Sequence, residues 1–575
     1  MKHTLVFLYF FAFYFNCFGQ ISPAEYDLLK KSIPNETSVL TTNSNIFLAG
    51  EYLYYKTVLL NQQDKQFSTI SQIAYVELVG TDNHVIFKHK HRVTNSFANG
   101  DFFIPSSVKS GHYKLISYTN WSLNNLKNAY SEKNIFIINP FSSENQVITN
   151  ETTDNYVTVS IEKNDSITFL DNDNSKFVSL NLNKTSYSNR EKVRLQIKLE
   201  NDDSIINCLS VRKVDSVSVT NTSNKKNTTQ TNIETNHLPE LRGEIISGNL
   251  VSKNSEPVGN IPVSLTFSGD NAIFKNANTN DRGQFYFIVN DDYGNRPLNI
   301  VVQHKNRENY EIRINSKEFN SYNQLNFNNL SLGDDLKEWL ENESVFNQIE
   351  NAYFSVKADS IQPIKANKDF FNPIQTVYHL DDYTRFKTVK EIFTEIITTA
   401  SISKKDSVFQ FNVPDLVNID FNRDLNYLDP LVLADGFLIQ NNDEIINYKT
   451  SNIESINTIT GQYIYGSNLY NGIISFKTYD GDFKIDSEGN NAMVLDYPVI
   501  IPRKIYYQPN YENNNALNRI PDYRKQLLWL PNLLLSGEDV ITFYTSDNKG
   551  LFEILLQSIS NTGDITFVKK YFRVN

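Results

Sequence analysis

Four short motifs decide the fold, and they are PLVLADG at 430–436, SNIESI at 451–456, YG at 465–466 and NGIISFKT at 471–478. The apolar run of the first motif enters a turn at Asp435-Gly436, a residue pair typical of tight β-hairpins. In the last motif Ile474 and Phe476 alternate with polar residues, as they do on a strand with one buried face. The stretch therefore predicts short strands joined by a tight turn.

The same four motifs occur, in this order, in the plug domain of TonB-dependent outer-membrane receptors, which the region resembles. That family has an apolar strand ending in a Val-Asp-Gly turn, then an Ile-Glu-x-Ile step, a Tyr-Gly pair and a Gly-x-Ile strand. Ala434 stands where the family usually has valine. The resemblance implies an α+β plug-like domain over 376–490. It also implies the residues that contact a partner, namely Asp435, Gly436, Glu454, Tyr465 and Gly466.

Composition places the chain among folded proteins rich in strands. Of its 575 residues 40% are hydrophobic and 21% are charged, which argues against disorder and against a bundle of membrane-spanning helices. The 32 tyrosines and 38 phenylalanines favour strands. The formal net charge of −11 makes nucleic acid and anionic membrane surfaces poor partners.

Residues 1–19 have the pattern of a secretory signal peptide, with an apolar core followed by Cys17-Phe18-Gly19 at the cleavage positions. The alternative is a lipoprotein in which Cys17 carries the lipid, although Tyr14–Asn16 is bulky and polar for the usual lipobox. We therefore expect export across the inner membrane to the periplasm or the outer membrane. If Cys17 is removed, Cys208 is the remaining cysteine, which predicts a small core residue without a disulfide.

The remaining sequence predicts a mainly β chain. Short apolar runs between Asn, Asp and Gly turns indicate β-sandwiches, and the spacing of Leu336, Trp339 and Leu340 indicates a connecting helix. A stretch rich in Ser, Thr, Asn and Lys reads as a linker. The predicted segments are sandwiches at 20–145, 155–218 and 239–305, the linker at 219–238, a helical connector at 330–375, the plug-like domain at 376–490 and a C-terminal sandwich at 497–575.

Two of these segments resemble further families. In the first sandwich the order Gly50-Glu51, Tyr75–Leu78, Gly100–Phe102 and Gly111–Leu115 resembles the domains of the alpha-macroglobulin family. The sequence has no Cys-Gly-Glu-Gln type segment for a reactive thioester. The turn Asp281–Phe285 resembles the carboxypeptidase regulatory-like domain, a small transthyretin-like sandwich that is not catalytic in its family. The combination resembles envelope proteins of the Bacteroidota type.

Histidines give two weak signals for a metal. His237 and Glu240 have the spacing of a zinc carboxypeptidase motif, but Pro239 lies between them beside the polar linker. His89 and His91 lie two apart on a predicted strand and so share one face. They stand among lysines and arginines, which favours a solvated strand edge over a metal site.

The acidic motifs do not indicate a calcium site or a catalytic site either. Asp171–Asn174 and Tyr479–Asp482 lack the spacing and the closing glutamate of a calcium loop. Asp381-Asp382 beside Arg385 reads as an ion pair near a helix start. The sequence therefore predicts no catalytic residue, no metal site and no cofactor.

These observations predict a non-enzymatic binding or accessory protein of the cell envelope, which reaches the membrane through a partner and not through a spanning segment. The plug-like domain would dock on or inside an outer-membrane protein such as a β-barrel. The first alternative is a barrel-less derivative of a receptor, involved in ligand uptake. A receptor with its own barrel needs many strands after the plug, and the sequence continues only to Asn575. The second alternative, a secreted hydrolase, requires a cluster of catalytic side chains that no motif indicates.

Overall fold

A computed structural model provides the structure of the chain. It describes residues 28, 31–125, 129–142, 156–161, 178–199, 205–221, 237–269, 272–317, 319, 322–362, 370–371, 375–406, 408–414, 428–466, 468–486, 491–512 and 515–575. The predicted signal peptide, Cys17 and the acidic run 171–174 lie outside these residues. The chain forms two compact units. The flanking unit comprises Asn35–Gly243, Lys317–Ile364 and Val499–Asn575, and the mid-chain unit includes Glu244–Ser316 and Lys365–Pro498.

The flanking unit begins with a β-sandwich of two sheets, ordered β1-β3-β6 and β2-β8-β7-β4-β5. Leu53 from one sheet and Val76 and Leu115 from the other are fully buried in the core between them. The strands are β1 Glu36–Thr42, β2 Ile46–Leu48, β3 Tyr52–Asn61, β4 Ile73–Val79, β5 Val85–Arg92, β6 Phe97–Phe103, β7 Gly111–Tyr118 and β8 Ser131–Ile138.

Six further strands of the flanking unit follow, and two of them, β14 and β9, pair antiparallel in a separate small sheet. Cys208 is buried, and burial raises the pKa of its thiol to about 11. The strands are β9 Tyr156–Ile161, β10 Val178–Leu182, β11 Ser186–Tyr187, β12 Lys192–Leu199, β13 Ile205–Lys213 and β14 Val217–Asn221.

The mid-chain unit opens with a second kind of sandwich. Its first sheet has the order β18-β15-β20, and β16 lies between β17 and β19 in the second. Gly283, in the turn predicted from the Asp-x-Gly-x-Phe pattern, has φ +76°, a conformation that favours glycine. The strands are β15 Glu244–Ser252, β16 Pro262–Phe267, β17 Ile273–Asn278, β18 Gln284–Val289, β19 Leu298–Val302 and β20 Tyr310–Ile314.

The chain then returns to the flanking unit with β21 Asn329–Leu332, helix α1 Lys337–Ala352 and β22 Ser360–Ile361. β21 pairs parallel with β9 and completes the sheet β14-β9-β21. Leu336 and the half-buried Trp339 and Leu340 pack against this sheet, as their helical spacing predicts. Among the residues that the structure describes, no helix is long and apolar enough to cross a membrane.

The predicted plug-like region of the mid-chain unit is built on a five-stranded sheet ordered β23-β28-β29-β26-β27. Helix α2 begins with the predicted capping box, in which Thr388 Oγ1 accepts from Glu391 N at 3.2 Å and Glu391 Oε2 accepts from Thr388 N at 3.1 Å. The elements are β23 Thr376–His379, α2 Val389–Glu395, β24 Ser401–Lys405, β25 Val408–Asn412, β26 Leu431–Ala434, β27 Phe437–Leu438, α3 Asn442–Ile446, β28 Ile453–Tyr465, β29 Asn468–Thr478 and β30 Ala492–Leu495.

Two features of this unit differ from the sequence prediction. Strand β30 pairs with β19 and joins the sandwich sheet as β17-β16-β19-β30, so the sandwich is completed by residues far beyond 305. Ser475, predicted on an open face of β29, is buried, because the side of the sheet opposite Ile474 packs against Phe274 of the sandwich. The strand is therefore covered on both faces.

The flanking unit ends with five strands, of which β31 pairs with β22 and the other four complete a sandwich with β10, β11, β12 and β13. One sheet has the order β10-β12-β33, and the other has the order β11-β35-β34-β13-β32. The separate sandwiches predicted at 155–218 and 497–575 are therefore wrong, because the apolar faces of β12 and β34 bury each other in one core. The strands are β31 Lys504–Ile505, β32 Gln526–Leu533, β33 Glu538–Tyr544, β34 Gly550–Ser560 and β35 Ile565–Val574.

Candidate functional site

Asp435 lies in the turn between β26 and β27 and is buried, with φ +46°. Its carboxylate accepts three hydrogen bonds, from Thr478 N at 2.9 Å, from Thr478 Oγ1 at 2.6 Å and from Phe483 N at 3.0 Å. The backbone carbonyl of Asp435 accepts from Gly269 N at 3.2 Å. The aspartate therefore holds the end of β29 and the following loop against the turn.

Gly436 allows the turn to approach the sandwich of the same unit. Its φ is +83°, and a Cβ at this position would lie 2.3 Å from Cβ of Ala272. Its carbonyl accepts from Thr266 Oγ1 at 3.0 Å. Any side chain here would strain the backbone and push the turn away from the sandwich.

Glu454 occupies a β-bulge near the start of β28. The register passes from Ile453 to Ser455 while β29 advances by one residue, so Glu454 is the extra residue. Its side chain is exposed. Within the described part of the chain its carboxylate has no hydrogen bond or ion pair, in contrast to that of Asp435.

Tyr465 and Gly466 lie at the far end of β28, against β17. The hydroxyl of Tyr465 donates to the carbonyl of Phe274 at 2.5 Å, and its ring stacks on Phe370 with centroids 4.1 Å apart. Burial raises the pKa of Tyr465. A Cβ on Gly466 would lie 3.2 Å from the carbonyl oxygen of Asn276. Both residues therefore make contacts inside the unit.

Three of the five predicted contact residues line one cavity of about 200 Å³ in the mid-chain unit. Asp435, Gly436 and Glu454 are on its wall, whereas Tyr465 and Gly466 are not. The other lining residues are Gly269, Ala272, Phe274, Phe370, Phe371, Leu433, Ser475, Phe476, Lys477 and Thr478.

Most of these lining residues have no sequence pattern that predicts their place in a cavity. Phe370 and Phe371 stand in a stretch without apolar periodicity, and Phe274 looks like an ordinary core residue of the sandwich. The strand pattern predicts only that Lys477 lies on the side of β29 opposite Phe476. The cavity depends on the packing of the sandwich on the sheet, which the alternation within one strand does not predict.

His89 and His91 are not at a solvated edge, so that interpretation is wrong. Both rings point at the buried hydroxyl of Tyr55, with His89 Nδ1 and His91 Nε2 each 2.7 Å from Tyr55 Oη. Burial lowers the pKa of His89 to about 4 and that of His91 to about 3, and Lys504 beside His89 acts in the same direction. The two imidazoles are therefore neutral hydrogen-bonding groups near pH 7.

This cluster should make the flanking unit sensitive to acid. His91 is neutral in the fold but titrates near 6.5 when unfolded, so stability is lost as the pH falls below 6.5 toward the folded pKa. Between pH 7.5 and pH 5 we expect His91 alone to account for a loss of about 2 kcal/mol. Urea unfolding followed by tryptophan fluorescence at the two pH values measures this loss.

The variant His91→Gln should reduce this pH dependence, whereas His84→Gln, at an exposed position, should leave it unchanged. All three tryptophans, Trp121, Trp339 and Trp529, lie in the flanking unit, so the fluorescence reports on it. An equal pH dependence in His91→Gln and in the unmodified chain would contradict the assignment.

The other polar motifs are held apart from one another. Glu240 is buried and accepts from Lys317 Nζ at 2.8 Å, whereas His237 Nδ1 lies 3.1 Å from Asn120 Oδ1. Asp381 forms the predicted ion pair with Arg385. Among the residues described by the structure, no group of three or more His, Cys, Asp or Glu side chains is placed to hold a metal ion.

No protein-family model matches the sequence, and no curated protein matches it significantly. Among solved structures, the alpha-2-macroglobulin of Escherichia coli activated by porcine elastase is similar over 94% of this chain and 44% of that chain, with 9% identity and a TM-score of 0.23. The Salmonella alpha-2-macroglobulin reacted with methylamine is similar over 94% of this chain and 39% of that chain, again with 9% identity and a TM-score of 0.23. The chain thus spans less than half the length of these proteins. The mainly β fold class predicted from the sequence is confirmed by the strands of the chain.

Proposed function

We propose that this chain is a non-enzymatic binding protein of the bacterial cell envelope, which docks on an outer-membrane partner through the free end of the β28–β29 hairpin. The observation that carries the proposal is an exposed apolar pair at that end. Ile464 is 75% exposed and lies directly across from Leu469, which is 38% exposed. The signal-peptide pattern at 1–19 and the resemblance to a receptor plug support the envelope location and the kind of partner.

The hairpin extends beyond its neighbours in the sheet. β23 pairs only with residues 455–458 of β28, and β26 pairs only with residues 473–476 of β29. Beyond these points, residues 462–465 and 468–471 pair with each other and with no third strand among those described, and Asn471 N donates to the carbonyl of Asp429 at 3.2 Å, which leaves 462–465 and 468–470 as the strand edges. Unpaired strand edges offer backbone donors and acceptors to an added strand.

The other face of the hairpin is fixed to its own unit. Tyr463 Oη donates to the carbonyl of Phe370 at 3.2 Å, and Asn276 Nδ2 donates to Tyr470 Oη at 2.6 Å. Together with Tyr465, these contacts hold the hairpin end in one orientation. A preorganised binding edge loses less conformational entropy when a partner adds to it. The predicted contact at Tyr465 and Gly466 thus acts by positioning Ile464 and Leu469.

A double substitution tests the proposal. The tagged chain is used to capture partners from detergent-solubilised envelopes, which are identified by mass spectrometry. We expect Ile464→Asp with Leu469→Asp to reduce recovery of one outer-membrane protein at least tenfold, because the lost apolar contacts are replaced by two desolvated carboxylates.

The matched control is Leu534→Asp, at a position that is 78% exposed in the flanking unit. This variant should recover the partner as well as the unmodified chain does. Recovery of no membrane protein, or equal loss in both variants, would overturn the proposal. A photo-crosslinking residue at Ile464 should label the same partner directly.

A further inference from the structure

The cavity of the mid-chain unit combines an aromatic wall with a carboxylate at its rim. The rings of the buried Phe274 and Phe371 and of the half-buried Phe370 line it, whereas the ring of Phe476 packs on the opposite face of the sheet against Phe393 and Phe411. Aromatic rings offer apolar surface to a hydrocarbon stem, and a carboxylate offers a charged hydrogen-bond acceptor to a cationic head. The exposed Glu454 provides that carboxylate at the rim.

The charges around the cavity favour a single positive charge. Asp435 and Glu454 are acidic and Lys477 is basic, so the lining carries a formal charge of −1. The carboxylate of Asp435 is occupied by the donors of Thr478 and Phe483. Glu454 has no such donors within the described residues, which leaves its oxygens available to a ligand.

We propose that this cavity binds an organic monocation, a primary ammonium or guanidinium group on a short apolar stem. At about 30 Å³ for each water-sized group, 200 Å³ holds about seven such groups. This is the size of a lysine or arginine side chain or of a small alkylamine, and smaller than the pockets that hold larger ligands. The stem lies against the phenylalanine rings, and the cationic head lies at Glu454.

The test is calorimetric titration of the full chain with n-butylammonium, with 1-butanol and butyrate as matched uncharged and anionic probes. We expect saturable binding of the cation and at least tenfold weaker binding of the other two. Glu454→Gln, which removes the charge at an exposed position, should weaken cation binding at least tenfold. Lys477→Gln should leave it unchanged or strengthen it.

A second arm distinguishes a free amine from a side chain. The peptide acetyl-Gly-Lys-Gly-amide is compared with the same peptide carrying norleucine in place of lysine. Binding of the lysine peptide assigns the cavity to a lysine side chain of a partner, whereas binding of butylammonium alone assigns it to a free amine. Butyrate binding as tightly as the cation, or Glu454→Gln binding as well as the unmodified chain, would overturn the proposal.

Cation binding at the cavity does not require the hairpin contact. The Ile464→Asp and Leu469→Asp variant keeps every residue of the cavity wall, so it should bind butylammonium with unchanged affinity. In this variant, loss of partner recovery with retained cation binding supports both proposals. Retained partner recovery overturns the hairpin contact alone, and failure of the unmodified chain to bind butylammonium overturns the cavity proposal alone.

Discussion

Replacing Lys525 with methionine is expected to destabilise the flanking unit by about 3–5 kcal/mol, the cost of removing one partner from a buried ion pair. Its ammonium is buried and lies 2.8 Å from Glu51, 3.0 Å from Glu343 and 3.3 Å from Asp215. Burial alone would lower the pKa of Lys525, but these three carboxylates raise it, so the residue is charged in the fold. The substitution removes the cation and leaves the carboxylates facing one another.

The remaining cations only partly compensate for this loss. Arg212 lies 3.2 Å from Asp215 and 3.6 Å from Glu51, and Lys213 lies 3.2 Å from Glu343. With Lys525 present, the cluster has three cations and three anions. It joins the first sandwich, β13 and helix α1 within the flanking unit. Disruption of this cluster is therefore expected to weaken the contacts between these three elements, so the effect is not confined to one side chain.

Urea unfolding followed by tryptophan fluorescence measures the effect on this unit. The control is Lys549→Met, which makes the same change at an exposed position near the start of β34 and should alter stability by less than about 0.5 kcal/mol. A midpoint for Lys525→Met equal to that of Lys549→Met would show that the cluster is not coupled to folding.

Features that depend on a few neighbouring residues were predictable from the sequence. The capping box needs only Thr388 and Glu391 in the first turn of a helix, and the structure confirms both of its hydrogen bonds. The hairpin turn needs only Asp435-Gly436 between two apolar pairs, and Leu433 pairs with Leu438 across it. In each case the side-chain or backbone preference determines the structure of the segment in which the residue itself lies.

Features that depend on distant partners were not predictable. The alternation of Val193, Leu195 and Ile197 indicates one buried face of β12 but does not specify what covers it. Leu195 pairs with Ile541 of β33, a strand from the far end of the chain. The sequence therefore indicated the strands at 155–218 and those at 497–575, but it did not indicate that the two groups form a single sandwich.

Of the residues that line the cavity, the sequence had singled out three as partner contacts, and that role stays a prediction. Asp435, Gly436 and Glu454 line the cavity because the turn after β26 and the start of β28 lie at the same end of one sheet. Phe370 and Phe371 come from a segment without a periodic pattern, and they reach the cavity only through the packing of the two layers. The buried position of Ser475 has the same cause, since no pattern within β29 indicates a second covering layer.

Replacing Asp435 with alanine is expected to destabilise the mid-chain unit by about 3–5 kcal/mol. The change leaves the amides of Thr478 and Phe483 and the hydroxyl of Thr478 without their acceptor, and each unsatisfied buried donor costs about 1–3 kcal/mol. Relaxation of the loop offsets part of that sum. Alanine also adopts φ +46° less readily than aspartate. Amide hydrogen exchange at Thr478 and Phe483 measures the loss locally.

Asp406 offers a matched control for the backbone term. It also has a positive φ, +49°, but its side chain is exposed, so Asp406→Ala should cost only about 1 kcal/mol or less. Asp435→Asn should fall between the two alanine variants, because the amide keeps one acceptor oxygen and tolerates the left-handed conformation. If Asp435→Ala proves as mild as Asp406→Ala, the carboxylate does not hold the loop, and a direct role in partner contact becomes the better explanation. If the ordered series is found, the aspartate that marks this motif is needed by the fold, and recognition falls to two exposed residues, Glu454 at the same end of the sheet and Ile464 at the far end of β28.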